Sequence, residues 1–138
     1  MPSRILIVDD EPNMLRLLQA IITGKTDYQV VTTNNPLEVS KLLETENFDL
    51  VITDLKMPLL DGMDLIDLIK AKDPLIPIIM ITAYGTIDTA EEAIRRGAYD
   101  YITKPFRQEA ILITLKRALE WRQMQLELQA LKQSSSVH

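Results

Sequence analysis

The chain has 138 residues, 46% of them hydrophobic, which is enough for one domain with a substantial core and too few for two of ordinary size. Its 15 Lys and Arg against 20 Asp and Glu give a net charge of -5, and no basic cluster exceeds pairs such as Arg95-Arg96 and Lys116-Arg117, which excludes a generic nucleic-acid electrostatic footprint for this chain. Cysteine is absent and His138 is the single histidine, excluding disulfides, thiolate metal sites and histidine-cluster zinc sites; with no apolar run near the roughly 18 residues of a membrane span and no signal core at the start, a soluble cytoplasmic protein is expected.

The first apolar run, Ile5, Leu6, Ile7 and Val8, ends abruptly in Asp9, Asp10 and Glu11. A short apolar run bounded by polar residues reads as a strand buried on both faces, as in a parallel sheet covered by helices. Pro12 follows where a first helical turn tolerates it, and Met14, Leu15, Leu18, Ile21 and Ile22 repeat at helical spacing. A second strand-like run at 28–33 leads to Asn35-Pro36, read as the start of a helix with Leu37, Val39, Leu42 and Leu43 as its apolar stripe. The third run, Leu50, Val51 and Ile52, passes through Thr53 into Asp54. Pro58 opens a turn beside that carboxylate, and Asp61-Gly62 precedes the helical residues Met63, Leu65, Ile66 and Ile69, which Asp73-Pro74 stops. A fourth strand at 78–82 is followed by a helix opened by Thr86 or Asp88 and ended by Arg95-Arg96-Gly97, a glycine able to adopt positive φ. A fifth strand at 99–102 leads through Lys104-Pro105 to a final helix running from Phe106 to about Lys132 without Gly or Pro, longer than sheet cover requires.

Five alternating strand and helix units imply an α/β doubly wound sheet. Ligands of such sheets bind beyond the carboxyl ends of the strands. With the first and third strands as neighbours, Asp9, Asp10 and Asp54 converge in one crevice, where their repulsion calls for a hard cation or a proton. Along the last helix, Ile111, Leu115 and Ala118 fall at core spacing. Trp121, Met124, Leu128 and Leu131 follow at intervals of three, four and three, the pattern of a coiled-coil seam; the competing reading is a helix that covers only its own domain. Gln133 to His138 reads as a linker or a chain end.

Four segments carry a family resemblance: ILIVDDEP at the first strand end, LVITDLKMPLLDG around Asp54, MITAYG at the fourth strand end and YDYITKPF at the fifth. In this order, each at a strand terminus, they resemble a response-regulator receiver (CheY-like) domain, from Arg4 to about Glu120. The segment AYGTIDTAEEAIRRGAYDYITKPF further resembles receivers of the NtrC type, whose output is a AAA+ ATPase acting on sigma-54 polymerase. The resemblance implies a flavodoxin-like, five-stranded parallel sheet in the order 2-1-3-4-5, with helices on both faces and an extended C-terminal helix. Residues 1–120 would be the receiver domain, and 121–138 an extended helix or linker and a candidate dimerisation coiled coil.

The same resemblance implies a phosphoacceptor switch rather than an enzyme, a regulatory domain that assists its own phosphorylation and dephosphorylation. Asp54 would accept a phosphoryl group from a sensor histidine kinase. Asp9, Asp10, Asp54 and the backbone carbonyl of Lys56 would hold Mg2+, with Glu11 a less favoured ligand. Lys104 would present its compact ammonium to a phosphoryl oxygen and to Asp54, and Thr82 its hydroxyl, with the Ala83 N–H beside it. Sequence alone favours a trans Lys104-Pro105 bond, since only about 5–6% of X–Pro bonds are cis; the resemblance implies cis. Thr82 and Tyr101 would form the switch, altering the surface of the fourth helix, fifth strand and last helix at about 86–120. Lys56 and Tyr84, each two residues beyond a reactive-site residue, would set the lifetime of the phosphorylated form. Expected partners are the kinase, a second copy of the chain and a DNA-binding AAA+ output domain, with no nucleic acid or membrane bound by this chain. Two alternatives stand beside this reading: a phosphohydrolase with an aspartyl nucleophile, and a phosphorylation-independent dimerisation module.

Overall fold

Strands that are apolar on both faces have to sit between two helical layers, and the chain folds that way. The computed structural model describes residues 2–136; Val137 and His138, at the end of the expected linker, lie outside the described residues. In chain order the elements are β1 (Arg4–Val8), α1 (Pro12–Lys25), β2 (Gln29–Thr33), a 3-10 turn (Pro36–Glu38), α2 (Val39–Thr45), β3 (Leu50–Thr53), α3 (Gly62–Lys72), β4 (Ile78–Thr82), α4 (Ile87–Arg96), β5 (Asp100–Thr103) and α5 (Gln108–Ser136). The sheet order is β2-β1-β3-β4-β5, and every pairing is parallel. This is the flavodoxin-like order 2-1-3-4-5 expected from the sequence.

Alternation along the strands divides the core in two. Leu6, Val8, Val51, Ile78 and Met80 face α3, where Leu65, Ile66 and Ile69 are fully buried, together with Val39 of α2 and Ala93 of α4. Ile5, Ile7, Leu50, Ile52, Ile79 and Ile81 face the opposite layer, Leu15, Leu18 and Ile22 of α1 and Ile111, Leu115 and Ala118 of α5. Each of these side chains larger than alanine contributes about 1.5–3 kcal/mol by leaving water.

Local signals fix where the helices begin. Pro12 occupies the first turn of α1, Asp61 caps α3 by accepting from the Asp64 N–H, and Thr86 opens α4 with Thr89 in a reciprocal capping box. Gly97 ends α4 at φ 115°. The second helix departs from expectation. Asn35 caps the Leu37 N–H and Pro36 leads a 3-10 turn, whose tighter winding leaves Leu37 56% exposed instead of in the apolar stripe.

The last helix is one continuous rod of 29 residues, and its attachment to the domain reaches past Glu120. The Trp121 ring lies 5.9 Å from the Tyr99 ring, with the Lys70 Nζ 5.5 Å from the indole. Arg122 donates to Asp49 (3.3 Å) and Asp73 (3.4 Å). Trp121 is therefore engaged with its own domain, whereas Met124, Leu128 and Leu131 are 57%, 47% and 65% exposed.

The loop from β3 to α3 folds tightly over the end of β3. Leu59 takes φ 76° between Pro58 and Leu60, whose N–H reaches the Pro58 carbonyl at 2.9 Å, a three-residue γ-turn. At its far end the Gly62 N–H donates to the Leu55 carbonyl at 2.7 Å. A Cβ on Gly62 would stand 2.3 Å from the Asp54 carbonyl oxygen, closer than any relaxed contact. Gly62→Ala is expected to lose about 3 kcal/mol, the upper end of overpacking costs, read as a lower urea midpoint.

Candidate functional site

The register of the sheet places the acidic residues. Val8 pairs with Thr53, so Asp9 and Asp54 leave adjacent strands side by side, and the Asp54 N–H donates to the Val8 carbonyl at 3.2 Å. Both side chains are only 3% exposed. Asp10 points to solvent. Carboxylate oxygens of Asp9, Asp10 and Asp54 lie within 4.8 Å of one another.

Lys104 enters from β5, on the other side of β4 from β3. Its ammonium lies 3.3 Å from Asp9 Oδ2 and 3.2 Å from Asp54 Oδ2. The other oxygen of each acid is held by the backbone: Asp9 Oδ1 accepts from the Glu11 N–H (2.9 Å) and Asp54 Oδ1 from the Leu55 N–H (2.6 Å). Burial raises the Asp9 pKa, and the Asp54 charge raises it further, against the opposing pull of the Glu11 N–H and Lys104. For Lys104, burial acts downward and is the largest single influence, but Asp9 and Asp54 together outweigh it and hold the amine above the usual lysine value. The lysine thus stays an ammonium at neutral pH.

This donor set fits Mg2+: it offers carboxylate oxygens only, with one exposed member giving access to water, and its three acids exceed its one cation. Lys56, in the loop leaving β3, carries its Nζ 4.7 Å from the centre of the Tyr84 ring. The two side chains line an open cleft of about 370 Å³ with Asp10, Met57, Pro58 and Asp61. Thr82, fully buried at the end of β4, accepts from the Tyr84 N–H at 3.1 Å. The Lys104-Pro105 bond is cis. Tyr101 is half-buried, with its hydroxyl 3.0 Å from Thr89 Oγ1. The structure thus joins Asp9, Asp10, Asp54 and Lys104 directly, sets Thr82 at the end of β4 and Lys56 and Tyr84 in the loops around them, and holds Tyr101 against α4. Sequence reasoning missed Thr89; the Thr86-x-x-Thr89 spacing signals a helix cap, but nothing in the sequence announces its contact with Tyr101.

A doubly wound sheet with this acid and lysine set at its strand ends defines a receiver. Residues 5–116 match the response regulator receiver domain family, and the chain belongs to it. Among curated proteins it is similar to the response regulator protein PilR of Pseudomonas aeruginosa, 43% identical over 103 residues that cover 75% of this chain and 23% of PilR. Among solved structures it is similar to NtrX from Brucella abortus in complex with ADP (TM-score 0.88, 34% identity, 95% of this chain and 30% of that one). It is similar as well to the beryllofluoride-activated NtrC4 receiver domain dimer (TM-score 0.82, 38% identity, 86% of this chain and 98% of that one). The chain is thus a two-component receiver domain of the NtrC-like kind. It spans between 23% and 31% of the length of the first curated relatives it matches. Among the described residues, no helix is long and apolar enough to cross a membrane.

The raised Asp9 pKa fixes a sign. Between its ordinary value of 3.8 and the raised one, the folded state binds more protons than the unfolded, so this group's contribution to stability falls as pH rises through that window. At neutral pH, Asp9→Asn in the absence of metal is expected to raise Tm by about 4 °C, equivalent to roughly 1 kcal/mol. Mg2+ should raise the Tm of the wild type and not that of the variant. Wild-type affinity for Mg2+, measured by calorimetry, should fall as pH is lowered toward the Asp9 titration, because proton and cation compete for the same oxygens.

Proposed function

We propose that the chain is the phosphoacceptor switch of a two-component system, with a receiver domain at 1–120 and an extension at 121–138 that leads to an output domain and contributes to a homodimer. The observation that carries this reading is the buried Asp54 carboxylate, 3.2 Å from the Lys104 ammonium and beside a second buried acid. In this reading an Asp54 oxygen attacks the phosphorus of a phosphohistidine on a sensor kinase. The P–N bond breaks, its electron pair stays with the imidazole, and an acyl phosphate forms. Asp9, Asp10, Asp54 and the Lys56 backbone carbonyl hold Mg2+, which when bound offsets the negative charge of the phosphoryl oxygens. Lys104 supplies a second positive charge from a fixed position. Thr82 presents its hydroxyl and Ala83 its N–H to the same group, and the departure of Thr82 from its present contact lets Tyr101 turn inward. The domain assists its own phosphorylation and dephosphorylation; turnover of other substrates is not its task.

Beside Lys104, an apolar groove of about 420 Å³ is lined by Met14, Leu17, Ala83, Pro105 and Phe106, a surface suited to the kinase that delivers the phosphoryl group in the cytoplasm. The resemblance of residues 83–106 to receivers of the NtrC type supports a transcription-regulating output, a DNA-binding AAA+ ATPase acting on sigma-54 polymerase, responding to the surface of α4, β5 and α5. Met124, Leu128 and Leu131 form the exposed part of the dimer seam, with Trp121 at its edge.

With Mg2+ and a small-molecule phosphodonor, the intact mass should increase by one phosphoryl group in the wild type and remain unchanged in Asp54→Ala. Sustained release of phosphate from added esters would instead identify a phosphohydrolase. Tyr84→Ala, which removes the ring under Lys56 at the mouth of the cleft, should shorten the phosphoaspartate lifetime several-fold; an unchanged or longer lifetime contradicts the shielding role.

A further inference from the structure

The Tyr101 ring is held from two sides by the segment that follows β4. On one side stands Gly85, where an added Cβ would lie 2.7 Å from Thr103 Cγ2, 3.1 Å from Tyr101 Cε1 and 3.2 Å from the phenolic oxygen. Gly97 is the only described glycine with positive φ, so glycine at 85 answers a need for room, not for an unusual backbone. On the other side, the phenolic oxygen lies 3.0 Å from Thr89 Oγ1.

Thr89 already belongs to the cap of α4. Its hydroxyl accepts from the Thr86 N–H (2.9 Å) and donates to the Thr86 carbonyl (3.0 Å), while the Thr86 hydroxyl accepts from the Thr89 N–H (3.1 Å). A threonine hydroxyl has one proton and two lone pairs. The Thr86 hydroxyl, 3.1 Å away, and the Tyr101 phenol, 3.0 Å away, share what remains of the hydrogen-bonding capacity of Thr89 Oγ1, and in each pair either oxygen can be the donor. The phenol completes the cap of α4, and its departure removes a partner from the residue that closes the first turn.

We propose that Thr89 is a positioning residue that holds the Tyr101 phenol in its present rotamer and ties that rotamer to the first turn of α4, with Gly85 keeping the space for the ring. The proposal rests on the phosphoacceptor reading and deepens it: it names the groups that set the threshold for the Tyr101 movement. The first turn of α4 begins with Ile87, 78% exposed, so the cap coupled to Tyr101 lies next to an apolar group on the output surface.

The test uses the full chain labelled with 13C-tyrosine. Three-bond couplings report the Tyr101 rotamer, and a titration with beryllofluoride and Mg2+ gives the midpoint of the conformational change. Thr89→Val should produce rotamer averaging at Tyr101 and shift the midpoint about five-fold, the change expected when one neutral hydrogen bond separates two states. Thr89→Ser should restore both. Tyr101→Phe, which leaves the capping box intact, should shift the midpoint equally, and Thr89→Val with Tyr101→Phe no further than either alone. Gly85→Ala should displace the ring without touching the cap. Unchanged couplings in Thr89→Val, or effects of Thr89→Val and Tyr101→Phe that add, would overturn the proposal. A wild type that ignores beryllofluoride would sink the phosphoacceptor reading, while the couplings in the untreated protein would still decide the role of Thr89.

Discussion

Two buried carboxylates side by side are the constraint around which this domain is organised. Asp9 and Asp54 leave neighbouring strands at the same level because β1 and β3 are paired through Val8 and Thr53. Both side chains are almost wholly buried, and each has one oxygen held by a backbone N–H. The Lys104 ammonium sits between the two remaining oxygens, as the charge balance of the crevice demands. Its reach to both acids requires β5 to lie beyond β4 in a parallel sheet, so the strand order and the site's charge balance are aspects of one arrangement.

The opposite end of the sheet serves a different purpose. Asp49 accepts both the Arg4 N–H (2.9 Å) and the Arg122 guanidinium (3.3 Å), and Arg122 also reaches Asp73 at the end of α3. With Trp121 against Tyr99 and Lys70, these contacts fasten α5 to the amino-terminal edge of the sheet just before the helix leaves the domain. The acidic site and the helix exit therefore stand at opposite ends of the strands. On the phosphoacceptor reading a signal from one to the other has to cross the domain, and Tyr101, held between Gly85 and the α4 cap in the segment that follows β4, is where such a movement would begin.

Much of this was legible in the sequence, for identifiable reasons. Strands buried on both faces produce uninterrupted apolar runs, so β1, β3 and β4 were evident with correct limits, and the carboxylates directly after β1 and β3 marked the candidate site. Local chemistry was equally readable where one residue decides it, as with the Thr86 and Asp61 caps. Leu37 was misplaced because its exposure depends on how Asn35 and Pro36 tighten the turn, which periodicity does not register. That Trp121 and Arg122 are anchored to the sheet end was not legible, because their partners Tyr99, Asp49 and Asp73 lie far away in sequence. The same holds for Thr89 and Tyr101: each is ordinary in its own element, and only tertiary packing brings the hydroxyls together.

Asp9 and Asp54 share a buried crevice whose charge Lys104 offsets, as Mg2+ would when bound. The pH titration of the Asp9 carboxyl carbon by 13C NMR, with and without Mg2+, reads that arrangement at its source. A midpoint above the ordinary aspartate value of 3.8 is expected in the metal-free protein, falling on addition of Mg2+. An Asp9 that titrates at its ordinary value and ignores Mg2+ would contradict it.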